Sequence, residues 1–190
     1  MDYFFIKRLL DVLIALSCII ILTPFFIICC LAIKFSSSGP VIFKDKRVGF
    51  KGETFHLLKF RTMFDNAGRG FVIKNDPRIT SVGKIFRQTS IDELPQLFNV
   101  LKGDMSLIGP RPDLEKNYKD YSDTTMKRLN TRPGISGLAQ CRGRNSIPWP
   151  ERYLHDVEYV ENISLSLDLF ILFETLKIVI LRESINIDET

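Results

Sequence analysis

VLIALSCIIILTPFFIICCLAI, residues 12–33, runs for 22 positions without a charge. At about 1.5 Å per residue a helix of that length extends about 33 Å, enough to cross a hydrocarbon core of about 30 Å. A secretory leader would have a shorter apolar region and small residues at a cleavage site. Here the run ends in Lys34-Phe35-Ser36, so the segment is expected to stay with the protein. Pro24 sits at its centre and lacks the N–H that would bond residue 20, which predicts a kink. The hydroxyl of Thr23 beside it can bond a freed carbonyl. Each arm is then about 12 residues, or about 18 Å, and reaches only partway through a bilayer.

The flanks bear on orientation. Lys7 and Arg8 precede the run, and Lys34, Lys44, Lys46 and Arg47 follow it. The tendency of cations to stay inside places both flanks in the cytoplasm. A re-entrant, proline-broken helix satisfies this; a kinked span with a basic domain after it is the alternative. The 190-residue chain thus divides into a membrane anchor, 1–36, and a cytoplasmic domain, 37–190.

The net charge of +4 favours anionic partners such as lipid headgroups, nucleotides or nucleic acid. Three of the four cysteines (Cys18, Cys29 and Cys30, with Cys141 elsewhere) lie in the apolar run, and no C-x-x-C pair is present. Zinc ligation and disulfides are not expected. No nucleic-acid-binding motif, Walker loop, G-x-G-x-x-G, G-x-S-x-G or H-E-x-x-H pattern occurs.

After residue 40 the pattern becomes that of a mixed domain. Val41-Ile42-Phe43 and Thr54-Phe55-His56-Leu57-Leu58, separated by Gly49 and Gly52, predict a small β-hairpin. Leu94, Leu97, Phe98 and Leu101 follow helical spacing, so 92–102 is predicted to be an amphipathic helix closed by Gly103. Helices are also predicted over 151–160 and 165–181. The second is too charged at Asp168, Glu174 and Lys177 for a span, and is expected against the core or flat on a membrane surface. The fold class is α+β, predominantly helical, with interfacial amphipathic helices.

Candidate chemistry gathers in four places. Asp92 and Glu93 open the predicted helix, where the dipole would keep a carboxylate ionised. Ser90 or Asp92 would also serve there as an ordinary cap, with Pro95 favouring Asp92. Arg87 is near enough in sequence to help neutralise a diphosphate. In Gly109-Pro110-Arg111-Pro112 two prolines restrict the arginine between them, suiting it to phosphate contact, although an exposed turn would read the same way. Lys59-Phe60-Arg61-Thr62 places Lys59 and Arg61 on one face if the strand continues, as in any half-exposed strand. Arg132-Pro133-Gly134-Ile135-Ser136-Gly137 and Gly143-Arg144-Asn145 can wrap a sugar or phosphate, or form surface turns.

Taken in order, these strings resemble the bacterial sugar transferase family, the monotopic phosphoglycosyl transferases. They include Lys59–Met63, the run from Asp92 to Ser106, Gly109–Pro112, Arg132–Gly137 and Gly143–Asn145, with Lys7, Arg8 and Asp11 before the apolar helix. The resemblance implies that Asp92 of the Asp92-Glu93 dyad attacks the β-phosphate of a UDP-sugar, releasing UMP. The covalent phosphosugar would then pass to polyprenol (undecaprenyl) phosphate, the first membrane step of glycoconjugate or polysaccharide assembly. It implies Mg²⁺ as cofactor, contacted by Asp92 and Glu93, and substrate contacts from Lys59, Arg61, Arg87, Arg111, Arg144 and Asn145. The family's re-entrant helix breaks at Ser-Pro; Thr23-Pro24 keeps the hydroxyl, with Lys7 and Arg8 at the anchor's base. The chain resembles the minimal form, without the extra N-terminal membrane helices of larger members. The implied location is the bacterial inner membrane, with inner-leaflet lipids as partners, the catalytic domain in the cytoplasm, no nucleic acid, and room for a homo-oligomer. A membrane-tethered adaptor that docks anionic lipid or a protein partner is the alternative.

Overall fold

The structure, a computed structural model, describes residues 3–65, 68, 73, 75–143 and 147–181. Helix α1, Tyr3–Ser36, passes through Pro24 as one 34-residue helix. Proline removes the donor to residue 20, and Thr23 Oγ1 donates to Ile19 O at 2.8 Å, the local bonding expected of that pair.

A stripe at three- to four-residue spacing faces the rest of the protein: Lys7, Asp11, Ala15, Cys29 and Ile33 are buried. Before the proline, Ala15 packs with Phe55, Leu57, Leu97, Val100 and Met105. After it, Cys29 and Ile33 pack with Phe60 and Phe86. Both arms therefore rest on one body. The opposite surface exposes Leu9, Leu13, Ile20, Ile21, Ile27, Ile28 and Leu31, an apolar area far beyond what water-facing helices carry.

The cations at the base of α1 are not left for lipid headgroups. Lys7 Nζ donates to Asp168 Oδ2 at 2.6 Å, an oxygen that also accepts from Tyr3 Oη at 2.6 Å, while Tyr159 Oη donates to Asp168 Oδ1 at 2.7 Å. Arg8 donates to Val100 O and Leu101 O at 2.8 and 3.2 Å, answering carbonyls at the end of the helix ahead of Gly103. Asp11 Oδ1 accepts from Leu107 N at 3.0 Å. The polar residues at the base of the anchor thus bond the protein itself.

Strands β1, Ile42–Val48, and β2, Thr54–Phe60, form the hairpin, in register from Ile42–Phe60 to Val48–Thr54. A 3-10 turn, Phe50–Gly52, joins them, with Lys51 and Gly52 in the left-handed region at φ 55° and 81°. Helix α2 is Ser81–Gln88, capped by Thr80 Oγ1 accepting from Gly83 N at 2.9 Å. Helix α3 is Gln96–Lys102, closed by Gly103 at φ 98°. The free edge of β2 is covered by the Asn99 amide, which accepts from Leu58 N at 2.9 Å and donates to His56 O at 2.8 Å. This imitates one rung of a strand ladder and blunts the edge.

Strand β3, Ser106–Ile108, pairs in parallel with β5, Gly134–Ser136, and β4, Asp113–Leu114, completes a sheet ordered β2-β1-β4. Helices α4, Asp123–Met126, α5, Leu138–Arg142, α6, Trp149–Glu161, and α7, Leu165–Leu181, follow. Helix α7 has the bounds read from sequence. It docks through Asp168, Ile171 and Ile178 and exposes Leu169, Phe170, Phe173 and Leu176, an apolar surface broader than a one-sided amphipathic helix presents.

Because Lys7 is paired while 8% exposed, removing it strands a buried carboxylate. Lys7→Met is expected to cost about 3–5 kcal/mol, read from denaturant unfolding in detergent. A loss below about 1 kcal/mol would show that the hydroxyls of Tyr3 and Tyr159 suffice to hold Asp168.

Candidate active site

The dyad does not open α3. Ile91–Glu93 form a single 3-10 turn, and Pro95 stands at the cap position of α3. Proline cannot donate to the carbonyl four residues back, so the bonds here run three residues back instead: Glu93 N to Ser90 O and Leu94 N to Ile91 O, both 3.1 Å. Ser90 lies in the left-handed region at φ 56° and makes no side-chain cap bond, so no capping box forms. Ile91 and Leu94, which flank the dyad, pack against the cluster containing Cys29 and Ile33. The turn is thereby set against the second arm of α1.

The two carboxylates differ sharply. Glu93 Oε1 accepts from Lys59 Nζ and from Arg111 Nη2, each at 2.8 Å. Burial alone would raise the Glu93 carboxyl, but the charges of Arg111 and Lys59, with their hydrogen bonds, outweigh it and hold the group well below the usual carboxylate range. The same pairing raises Arg111.

Asp92 is buried, 9% exposed, and among the described residues nothing donates to its carboxylate. Burial pushes this carboxyl up; Lys59 pulls it back, Glu93 adds to the rise, and Arg87 and Arg111 oppose it, the net direction being upward. Desolvation outweighs the charges around it. One residue of the dyad is committed to cations by direct bonds, and the other is left unbonded among them.

Each residue of Lys59-Phe60-Arg61-Thr62 has a separate task. Lys59 reaches Glu93, and Phe60 is buried against α1. Strand β2 stops at Phe60, so the expected sharing of a face by Lys59 and Arg61 fails. Arg61 is buried and donates to Ser37 O at 2.8 Å and to Ser38 O, clamping the link after α1. These bonds give it a structural task, and neither goes to the dyad. Thr62 Oγ1 accepts from Arg87 Nε at 2.8 Å, aiming a guanidinium whose charge acts on Asp92.

Arg111 is held from several sides. Pro110 O accepts from Gly134 N at 2.9 Å, Arg111 O from Arg128 Nη2 at 2.7 Å, and Pro112 O from Arg47 Nη1 at 3.2 Å. Gly134 passes so close to Gly109 that a side chain at either position would collide with main chain. The Arg132–Gly137 string, read as a loop to wrap a sugar or phosphate or as a surface turn, instead packs as a scaffold for the arginine turn. Arg144 and Asn145 lie outside the described residues.

Sequence reading missed the buried group behind this turn. Asp113 Oδ2 accepts from Tyr153 and Tyr121 at 2.6 and 3.0 Å, and Arg128 pairs with Asp156 at 2.5 Å. For Mg²⁺, the described residues contain no group of three or more acidic, His or Cys ligands. Two adjacent carboxylates suit that ion even so, since it is commonly held by one or two carboxylates together with substrate phosphates and water.

Fold and site together define a class: a mostly helical α+β protein in which a cation-ringed carboxylate dyad sits against a long apolar helix. The chain belongs to the bacterial sugar transferase family, whose model matches residues 2–182. It is 39% identical to the exopolysaccharide production protein ExoY of Sinorhizobium fredii, over 92% of this chain and 85% of that one. It is 41% identical to the uncharacterized sugar transferase EpsL of Bacillus subtilis, over 95% and 90%. To the undecaprenyl-phosphate galactose phosphotransferase of Salmonella typhimurium it is 40% identical, over 94% of this chain and 41% of that longer protein.

Arg61→Met is expected to cost about 2–4 kcal/mol, because two carbonyls lose a charged donor. Lys59→Met should cost about 1.5 kcal/mol or less, since Arg111 still holds Glu93. Chemical denaturation of both variants checks the order, and the reverse order would return Arg61 to the site.

Proposed function

We propose that the protein transfers a sugar 1-phosphate from a UDP-sugar to polyprenol phosphate through Asp92. The observation that carries this reading is the unbonded, buried Asp92 carboxylate surrounded by Lys59, Arg87 and Arg111. A largely buried carboxylate with no donor bonded to it keeps its lone pairs for an electrophile. Three cations against two carboxylates leave the site attractive to a diphosphate, which would otherwise be repelled. An oxygen of Asp92 attacks the β-phosphorus, the bond from that phosphorus to the bridging oxygen breaks, and UMP departs with the electron pair. A phosphate oxygen of the lipid then attacks the same phosphorus and releases Asp92. Arg111 and Lys59 hold Glu93 ionised beside the reacting group. Asp92 and Glu93 are the residues to hold Mg²⁺, which when bound supplies charge neutralisation for the diphosphate.

Support for a lipid acceptor is local. A largely apolar cavity of about 390 Å³, lined by Ile19, Thr23, Phe26, Cys30, Phe60 and Phe98 among others, lies between α1 and the β2–α3 surface. That volume falls within the range of about 300–1,000 Å³ usual for small-molecule sites. Phe60 adjoins Lys59, and Phe98 lies on α3 just after the dyad's turn, so an apolar wall continues toward the cationic site. Membrane attachment is supported by the length and composition of α1. Because both arms of α1 pack on one body, we infer that it enters and leaves the bilayer on the cytoplasmic face.

Asp92→Asn should lower UMP release from UDP-sugar and polyprenol phosphate by at least about 10³-fold, the scale for loss of a catalytic group. Wild-type activity should vanish with EDTA and return with Mg²⁺. Turnover by Asp92→Asn at more than about a tenth of the wild-type rate would remove Asp92 from the chemistry.

For topology, single cysteines at Phe4 and Ser38 in a cysteine-free background should both react with an impermeant maleimide in inverted vesicles and stay protected in right-side-out ones. Reaction of the two positions from opposite sides would refute the re-entrant arrangement.

A further inference from the structure

We propose that the buried pair Arg128–Asp156 is a positioning device for Arg111. The proposal rests on the reading of the site just given. Arg128 is 4% exposed and Asp156 2%. Through Nη2 and Nε, Arg128 donates to Asp156 Oδ2 at 2.5 and 3.1 Å. Nη1 donates to Tyr121 Oη, and the guanidinium lies over the Tyr153 ring at 4.9 Å. Beyond these partners, Nη2 also reaches Arg111 O at 2.7 Å.

That last bond matters because of what it fixes. The carbonyls of residues 110, 111 and 112 are each taken by a different part of the chain, and two prolines set the backbone on either side. Asp113 completes the hold through Tyr121, Tyr153 and Asn117. The side chain of Arg111 is what the turn leaves to project, and it reaches Glu93. Asp156 orients the Arg128 guanidinium; Arg128 orients the main chain at Arg111; Arg111 meets Glu93 and, under the proposed function, the diphosphate. A pair needed only for stability would not have to extend a donor to a carbonyl in the catalytic turn.

Stability and positioning separate experimentally. Buried ion pairs can often be exchanged for apolar residues of similar volume without loss of stability. Arg128→Met/Asp156→Leu should therefore retain the wild-type melting temperature within a few degrees, yet slow UMP release from donor alone by about 10- to 100-fold, the scale for misplacing a substrate-binding group. Arg128→Lys keeps the charge on Asp156 but cannot bridge to the carbonyl, and its rate constant should fall about 10-fold with a smaller change in donor KM.

The decisive comparison places Arg128→Lys in an Arg111→Ala background. If Arg128 acts through Arg111, the second substitution should slow the reaction no further than about twofold beyond the first. A full additional loss there would overturn the proposal, as would a folded double variant that releases UMP at the wild-type rate. If the apolar pair fails to fold, the Arg111→Ala comparison decides alone. Failure of the wild-type protein to release UMP would count against the proposed function instead, and is read in the same assay.

Discussion

A single carboxylate oxygen, Glu93 Oε1, draws together three parts of the chain that are distant in sequence. Lys59 arrives from the end of β2, Arg111 from a turn between two prolines, and Glu93 itself from the 3-10 turn ahead of α3. Without that oxygen, two cations would face each other with only the raised, unbonded Asp92 between them. Because each cation directs a donor to Glu93, their fields still cover Asp92 without a bond to it. Opposite treatment of two neighbouring carboxylates follows from geometry alone. It is the pattern by which paired acids come to have separate roles.

The position of this oxygen depends in turn on α1. The turn carrying the dyad packs through Ile91 and Leu94 on the cluster that includes Cys29 and Ile33. Phe60, next to Lys59, is buried in the same cluster and stacks obliquely with Phe26, ring centroids 5.6 Å apart. Apolar packing thus fixes the site relative to the second arm of α1. At the other arm, Lys7, Arg8 and Asp11 tie α1 to α7, α3 and β3 by polar bonds sheltered from water. An anchor bonded at both arms cannot tilt independently of the site, which is what an enzyme sharing substrates between water and lipid requires.

How much of this could be read beforehand depended on whether the signal was local. The apolar run, the hairpin and the bounds of α7 were legible because periodicity and turn residues are short-range properties. Lys59, Arg87, Asp92, Glu93 and Arg111 were named from resemblance and charge, and the structure gathers them. Arg61 does not share a face with Lys59 as expected, because alternation says nothing about where a strand stops. Lys7 and Arg8 were read only as a basic flank of the apolar run, because their partners, Asp168 and the carbonyls near residue 100, lie more than 90 residues away. Asn99 and Arg128 left no local trace at all. One replaces a missing strand, the other supports a turn, and both act only through tertiary contact.

This asymmetry has a physical origin that bears on the arginine turn. Prolines at 110 and 112 limit the φ angles beside Arg111 but leave the orientation of the whole turn undetermined. That orientation is set by donors from Gly134, Arg128 and Arg47, which belong to β5, the segment before it, and β1. Burying the Arg128 charge is costly unless its hydrogen bonds are satisfied, so the guanidinium has little freedom once Asp156 and Tyr121 hold it. The rigidity of Arg111 is therefore inherited from a buried pair that never touches the substrate site. A sequence motif names the residue that meets Glu93; the constraint that makes its position reproducible lies one layer behind.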